Sequence, residues 1–157
     1  MKKMNLNYPI LFAPALIGYG TYFLCPFDPK DSPLSQTIRP PNWVFSIVWP
    51  ILYLSIGLAW TQSRTIAKVK SKRMIDYAYL ALSILLASWS VVYSCQKNKK
   101  NGIFVLVLSI MCTLVAYTTS PLSSKLLMCP LLAWLIYALM LNIIEVNDER
   151  IEFLPSE

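Results

Sequence analysis

PPNWVFSIVWPILYLSIGLAWTQS, residues Pro40–Ser63, runs for 24 positions without an Asp, Glu, Lys or Arg. A helix of about 20 residues crosses a hydrocarbon layer of roughly 30 Å, so this stretch is long enough to span. Four more stretches share the property: Met4–Phe27, Tyr77–Gln96, Asn101–Ser124 and Leu126–Ile144, of 24, 20, 24 and 19 residues. In lipid the backbone must satisfy its own hydrogen bonds, so each is expected to be a helix. The pattern predicts an all-α membrane protein, a bundle of five transmembrane helices. The spans fall at about 6–26, 43–63, 75–95, 102–120 and 125–145, within one domain covering 1–157. The opening MKKMNLNYPILFAPALIG looks like a signal peptide, but its apolar run is too long for one. It is expected as the first span.

Composition agrees. Apolar residues make up 56% of the chain and charged residues 14%, against roughly 25% charged in soluble domains. The net charge of +6 comes from Lys and Arg in short clusters between apolar runs. Nucleic acid needs a continuous basic face, so no nucleic-acid partner is expected, and the clusters suit lipid headgroups. Eight basic residues fall on the side of the amino terminus and six on the other, a split too even to set orientation by itself. The chain has no histidine, which excludes imidazole-ligated haem, His-based metal sites and a Ser-His-Asp triad. No metal site and no required cofactor are expected. Asp76 and Glu145 sit at span ends without an acid–base partner at helical spacing, so no conventional enzyme site is legible. Cys25, Cys95, Cys112 and Cys129 lie in or beside apolar runs without a Cys-x-x-Cys spacing, and read as small buried hydrophobes.

The first loop, 27–42, contains DPKDSPLSQTIRPP (Asp28–Pro41) and is too rich in proline for a regular helix. It alone among the connections is long enough to fold over one end of the bundle as a pocket lid. Within the spans, aromatic residues recur at helical spacing. Trp49, Tyr53, Gly57 and Trp60 share a face, as do Tyr79, Leu82, Leu86, Trp89 and Tyr93, and Pro130, Trp134, Tyr137, Ala138 and Leu141. Trp43, Trp60 and Tyr117 lie near span ends, where Trp and Tyr belt the headgroup region. Tyr53 and Trp134 lie close to mid-membrane, where an indole or phenol either lines a cavity or packs against neighbours. Asn142, near the end of the last span, is expected to bond another helix. Pro14, Pro50 and Pro130 each remove one intrahelical hydrogen bond.

The segment Pro40–Trp60 resembles the second-helix signature of the tryptophan-rich sensory protein family, which includes the mitochondrial translocator (peripheral benzodiazepine receptor) protein. The matching residues are Pro40-Pro41, Trp43, Phe45, Trp49, Leu52-Tyr53 and Gly57. Pro121–Asn142 resembles the fifth-helix signature through Pro121-Leu122, Leu126-Leu127, Pro130, Leu132, Ala133-Trp134, Ala138 and Leu141-Asn142. The resemblance implies a five-helix bundle, often a homodimer, whose first loop closes over a ligand pocket. It implies a hydrophobic small-molecule partner, a porphyrin or haem precursor or another tetrapyrrole. Carried onto this sequence, the ligand-binding positions are Trp43, Trp49, Tyr53, Trp89, Trp134, Tyr137, Ala138 and Leu141. Three departures stand out. Leu86 replaces a usual asparagine, Leu131 a usual tyrosine, and Ile143 the tyrosine of the proposed cholesterol-recognition pattern. Cholesterol is therefore the less expected ligand.

Three functions follow as expectations. The first is a membrane receptor or carrier for tetrapyrroles or similar flat hydrophobic ligands. The second is light-dependent porphyrin degradation through indole and phenol groups. The third is a scaffold or regulator acting through helix–helix contacts at small residues such as Gly18, Gly20 and Ala81. In each case the protein is a multi-pass integral membrane protein, of a bacterial inner or an organellar membrane.

Overall fold

Where water is absent, a chain of this composition has helices as its only open-ended solution. The computed structural model describes residues 7–25 and 39–152, and every regular element among them is helical. The helices are α1 (Tyr8–Leu24), α2 (Asn42–Ile66), α3 (Val69–Ser90), α4 (Lys99–Thr119) and α5 (Leu122–Glu152), with a π turn at Val91–Cys95 extending α3. Among the described residues, four stretches are long and apolar enough to cross a bilayer: Trp43–Ile66, Ser71–Cys95, Lys99–Thr119 and Leu122–Asn147. The fifth helix, α1, has 17 residues, a length of about 26 Å at the α-helical rise.

The expected spans and the helices agree in order and differ at their ends. α3 begins at Val69 rather than near 75, because Lys and Arg are good helix formers and carry it through the basic segment. α4 starts at Lys99, where the Asn98 side chain caps it by accepting from Asn101 N at 3.0 Å. α5 continues to Glu152, past its last apolar turn. Pro14, Pro50 and Pro130 all lie inside continuous helices. The lid expected of loop 27–42 lies mostly outside the described residues.

The helices close into a ring in the order α1, α2, α5, α4, α3 and back to α1. Leu52, Ile56, Leu82, Leu86, Leu106, Met128, Leu131 and Leu135 fill its centre. Leu16, Ile47, Ile51, Ile84, Phe104, Met111 and Leu126 are exposed on its outside, the apolar coat a bilayer solvates. Buried hydroxyls bond back to their own helices: Thr61 to the Gly57 carbonyl, Ser83 to Tyr79 and Thr113 to Ser109.

Glycine sets how closely α1 and α2 approach. A Cβ on Gly57 would collide with the Leu11 backbone carbonyl, and one on Gly18 with the Tyr53 ring. At the end bearing the α2–α3 connection, polar groups join helices directly. Tyr79 OH and Ser63 Oγ both meet Ser120 Oγ, at 2.8 and 3.0 Å. Trp60 Nε1 donates to Asp76 at 2.8 Å, and Arg64 pairs with the same carboxylate at 3.3 Å. Interhelical hydrogen bonds of this kind contribute about 0.6–2 kcal/mol each in a membrane.

The cysteine reading is corrected at the opposite end. Cys25 and Cys95 form a disulfide across 70 residues of sequence, with Cα atoms 5.3 Å apart. The pairing arises because α1 ends beside the π turn, a tertiary adjacency that cysteine spacing does not carry. Cys112 and Cys129 are free, and Cys129 is exposed rather than buried.

Gly57→Ala is expected to lower the thermal midpoint of the detergent-solubilised protein, by the equivalent of about 1–3 kcal/mol for overpacking. Gly20 has no neighbour within 4 Å of its Cβ direction. Gly20→Ala should therefore leave the midpoint unchanged or slightly raised, as scored by fluorescence-detected size exclusion after heating.

Candidate functional site

Seven aromatic side chains from four helices meet around Trp49. Its indole stacks on Tyr53 at 5.4 Å, lies 5.8 Å from Trp89, and takes Trp134 edge-on at 6.5 Å. Tyr19 of α1 reaches the Tyr53 ring at 6.2 Å, and Phe45 meets Trp134 edge-on at 5.5 Å. Trp89 stacks on Tyr93 at 5.1 Å. Separations of 4.5–7 Å with offset or edge geometry are those favoured by aromatic quadrupoles.

Rings this large do not fill the space between helices completely. A cavity of about 300 Å³ lies among them, walled by Tyr19, Phe45, Trp49, Tyr53 and Trp89 and edged by Gly18, Cys25, Ser46, Ser90 and Ser94. Two local features shape it. The bare backbone at Gly18 admits the Tyr53 ring. At the edge formed by Ser94, the π turn replaces the α pattern, with Gln96 N bonding the Val91 carbonyl at 3.1 Å. π turns inside α-helices recur at functional sites.

A second chamber of about 20 Å³ adjoins the first and shares Phe45 and Trp89 with it. That volume suits a single water-sized group. Its walls are mostly apolar but hold an ion pair: Arg39 pairs with Glu145 at 3.5 Å, and Tyr93 OH donates to the other carboxylate oxygen of Glu145. Arg39 also lies over the Phe45 ring at 5.7 Å. The carboxylate is almost wholly buried, and two donors balance it. The chamber is therefore close to neutral despite holding two charges.

Asn142 completes the chamber and corrects an expectation. Its amide packs into the notch left by Gly102 of α4, with Nδ2 2.8 Å from where a Cβ would stand. Neither Nδ2 nor Oδ1 bonds a protein group, so the expected bond to another helix is not formed. The indole N–H groups of Trp89 and Trp134 are likewise buried without a protein acceptor. Of these, Asn142 and Trp89 line a cavity, where they can take a ligand's carbonyl, carboxylate or amide.

The anticipated binding residues separate into groups. Trp49, Tyr53 and Trp89 line the large cavity, and Ala138 and Leu141 line the small one. Trp134 and Tyr137 stand behind the cavity wall, 5.7 Å apart. Trp43 belongs to neither: it is 64% exposed on the outer face. Six residues of helix place it about 240° around the axis from Trp49. Leu86, where an asparagine was expected, is in the packed core. Sequence reasoning missed Gly18, Tyr19, Arg39, Tyr93 and Glu145 as cavity residues. Tyr93 was findable as the next turn after Trp89; Arg39 and Glu145 were not, because only the fold brings them together.

Glu145→Gln would leave the Arg39 guanidinium buried without its carboxylate, and breaking such a pair costs about 3–5 kcal/mol. The expected outcome is a clear drop in thermal midpoint. Changing both residues to Met should recover most of the loss, in a double-mutant cycle read by thermal unfolding.

The TspO/MBR family profile matches residues 34–144. The chain is 27% identical over 115 residues to the tryptophan-rich protein TspO of Chlorobaculum tepidum, covering 69% of this chain and 73% of that protein. It is 30% identical over 115 residues to the protein of the same name from Archaeoglobus fulgidus, covering 66% and 68%. Protein CrtK of Rhodobacter capsulatus is 26% identical over 116 residues, covering 71% and 72%.

Proposed function

We propose, for a chain that belongs to the TspO/MBR family, the role of a membrane receptor or carrier that holds a flat hydrophobic ligand of the tetrapyrrole class in its aromatic cavity. The protein is a multi-pass integral membrane protein, and α1 is read as its fifth span, since it is apolar and completes the ring. The observation that supports the ligand class is the wall itself: five aromatic rings around about 300 Å³. Pockets for small molecules run from about 300 to 1,000 Å³ and are mostly apolar with a few placed polar groups. At the lower end of that range, a macrocycle would enter edge-first, one edge among Trp49, Tyr53 and Trp89. The polar atoms of Asn142 and of the Trp89 indole would then meet oxygen atoms at its rim. Trp43, outside the cavity, is read as an interface anchor.

Protoporphyrin added to the purified protein is expected to quench tryptophan fluorescence in a saturable way. Trp49→Leu removes the central ring of the cluster and should weaken binding about tenfold or more, on the scale of one lost aromatic contact plus its burial. Trp43→Phe should bind as the parent does. Equal affinities for all three proteins, or no saturable quenching, would remove the support for this reading.

A further inference from the structure

Each transmembrane passage has a sense, and the disulfide supplies it. Cys25 caps α1 and Cys95 ends the π turn, so their bond lies at the end of the bundle where Cys25 and Ser94 edge the cavity. Cys95 is exposed there. Forming the bond removes two electrons and two protons from two thiols, which pass by thiol–disulfide exchange to the disulfide of a thiol oxidase. Such bonds form and persist on the oxidising side of a membrane and are rare where glutathione and thioredoxin keep thiols reduced.

The densest basic cluster lies at the opposite end. The α2–α3 connection and the helix turns beside it carry five basic residues between Arg64 and Arg73, and Lys125 lies at the same end, six in all against five at the disulfide end among the described residues. Excess Lys and Arg in short loops marks the cytoplasmic face.

We infer that the protein sits with the start of α1 and the α2–α3 connection in the cytoplasm, and that the edge of the aromatic cavity formed by Cys25 and Ser94 faces the oxidising, non-cytoplasmic side. A ligand would then exchange with that side without crossing the reducing compartment. The ligand clause rests on the binding role proposed above; the orientation does not, and its test uses no ligand.

The full chain, carrying Cys112→Ala and Cys129→Ala, is expressed in bacterial cells converted to spheroplasts. A membrane-impermeant maleimide mass tag is applied with and without an impermeant phosphine reductant. The expected result is no tag without reductant and two tags per chain with it. Ser71, exposed beside the α2–α3 connection, supplies the second reading. With the disulfide intact and no reductant, the Ser71→Cys variant should be tagged only after the membrane is permeabilised. Tagging of Ser71→Cys in intact spheroplasts overturns the inference. So does protection of Cys25 and Cys95, with the reductant present, until permeabilisation; tagging of both without reductant would remove the disulfide from which the inference is argued. Failure of porphyrin binding alone leaves the labelling result, and the orientation, untouched.

Discussion

The approach of α1 to α2 governs what the rest of the structure can do. It is set where the Gly57 backbone lies against the Leu11 carbonyl and where the Tyr53 ring lies over Gly18. Helices in lipid have no hydrophobic drive toward one another, so association rests on close packing and a few polar contacts. Without these two glycines α1 would stand off from the ring. Tyr53 would lose its seat, and Tyr19 would no longer reach the aromatic cluster. One packing constraint therefore closes the bundle and builds one wall of the cavity.

The two ends of the bundle are finished differently. At the end with the α2–α3 connection, Ser63, Tyr79, Ser120, Trp60 and Asp76 satisfy one another across helices, and the rings of Trp60 and Tyr79 stack at 5.9 Å. That end is tightly tied. Toward the other end the polar groups of Asn142 and Trp89 are buried without protein partners, and empty volume lies beside them. Buried polar groups are normally satisfied, and the contrast fits one end that holds the bundle together and another that binds.

The helices were legible because lipid imposes a length and a composition that any sequence shows, although only four of the five are long and apolar enough to cross a bilayer. The aromatic cluster was half legible. Helical spacing put Trp49 beside Tyr53 and Trp89 beside Tyr93, but spacing along one helix says nothing of which face meets the next. Trp43 shows the limit: it sits in the same motif as Trp49 and faces outward. The Arg39–Glu145 pair and the Cys25–Cys95 bond join residues 106 and 70 positions apart. Their positions carry no periodic signal, and only the ring order of the helices makes them neighbours. The π turn was illegible for a different reason: VVYSC has the composition of ordinary helix.

That turn has a consequence for how the chain tolerates change. A π turn winds more slowly than the α-helix it interrupts, so it behaves as one residue inserted into α3. Every position after it is rotated relative to an uninterrupted helix. Ser94, which edges the cavity, and Cys95, which bonds Cys25, both follow the point where the winding changes. Rewinding Val91–Cys95 as regular α-helix at unchanged length would swing both side chains around the axis together, whereas removing one residue with the π turn would keep them near their present bearing. Cavity rim and covalent tie are thus phased by the same local insertion, and a change of winding there would move both before any residue identity did.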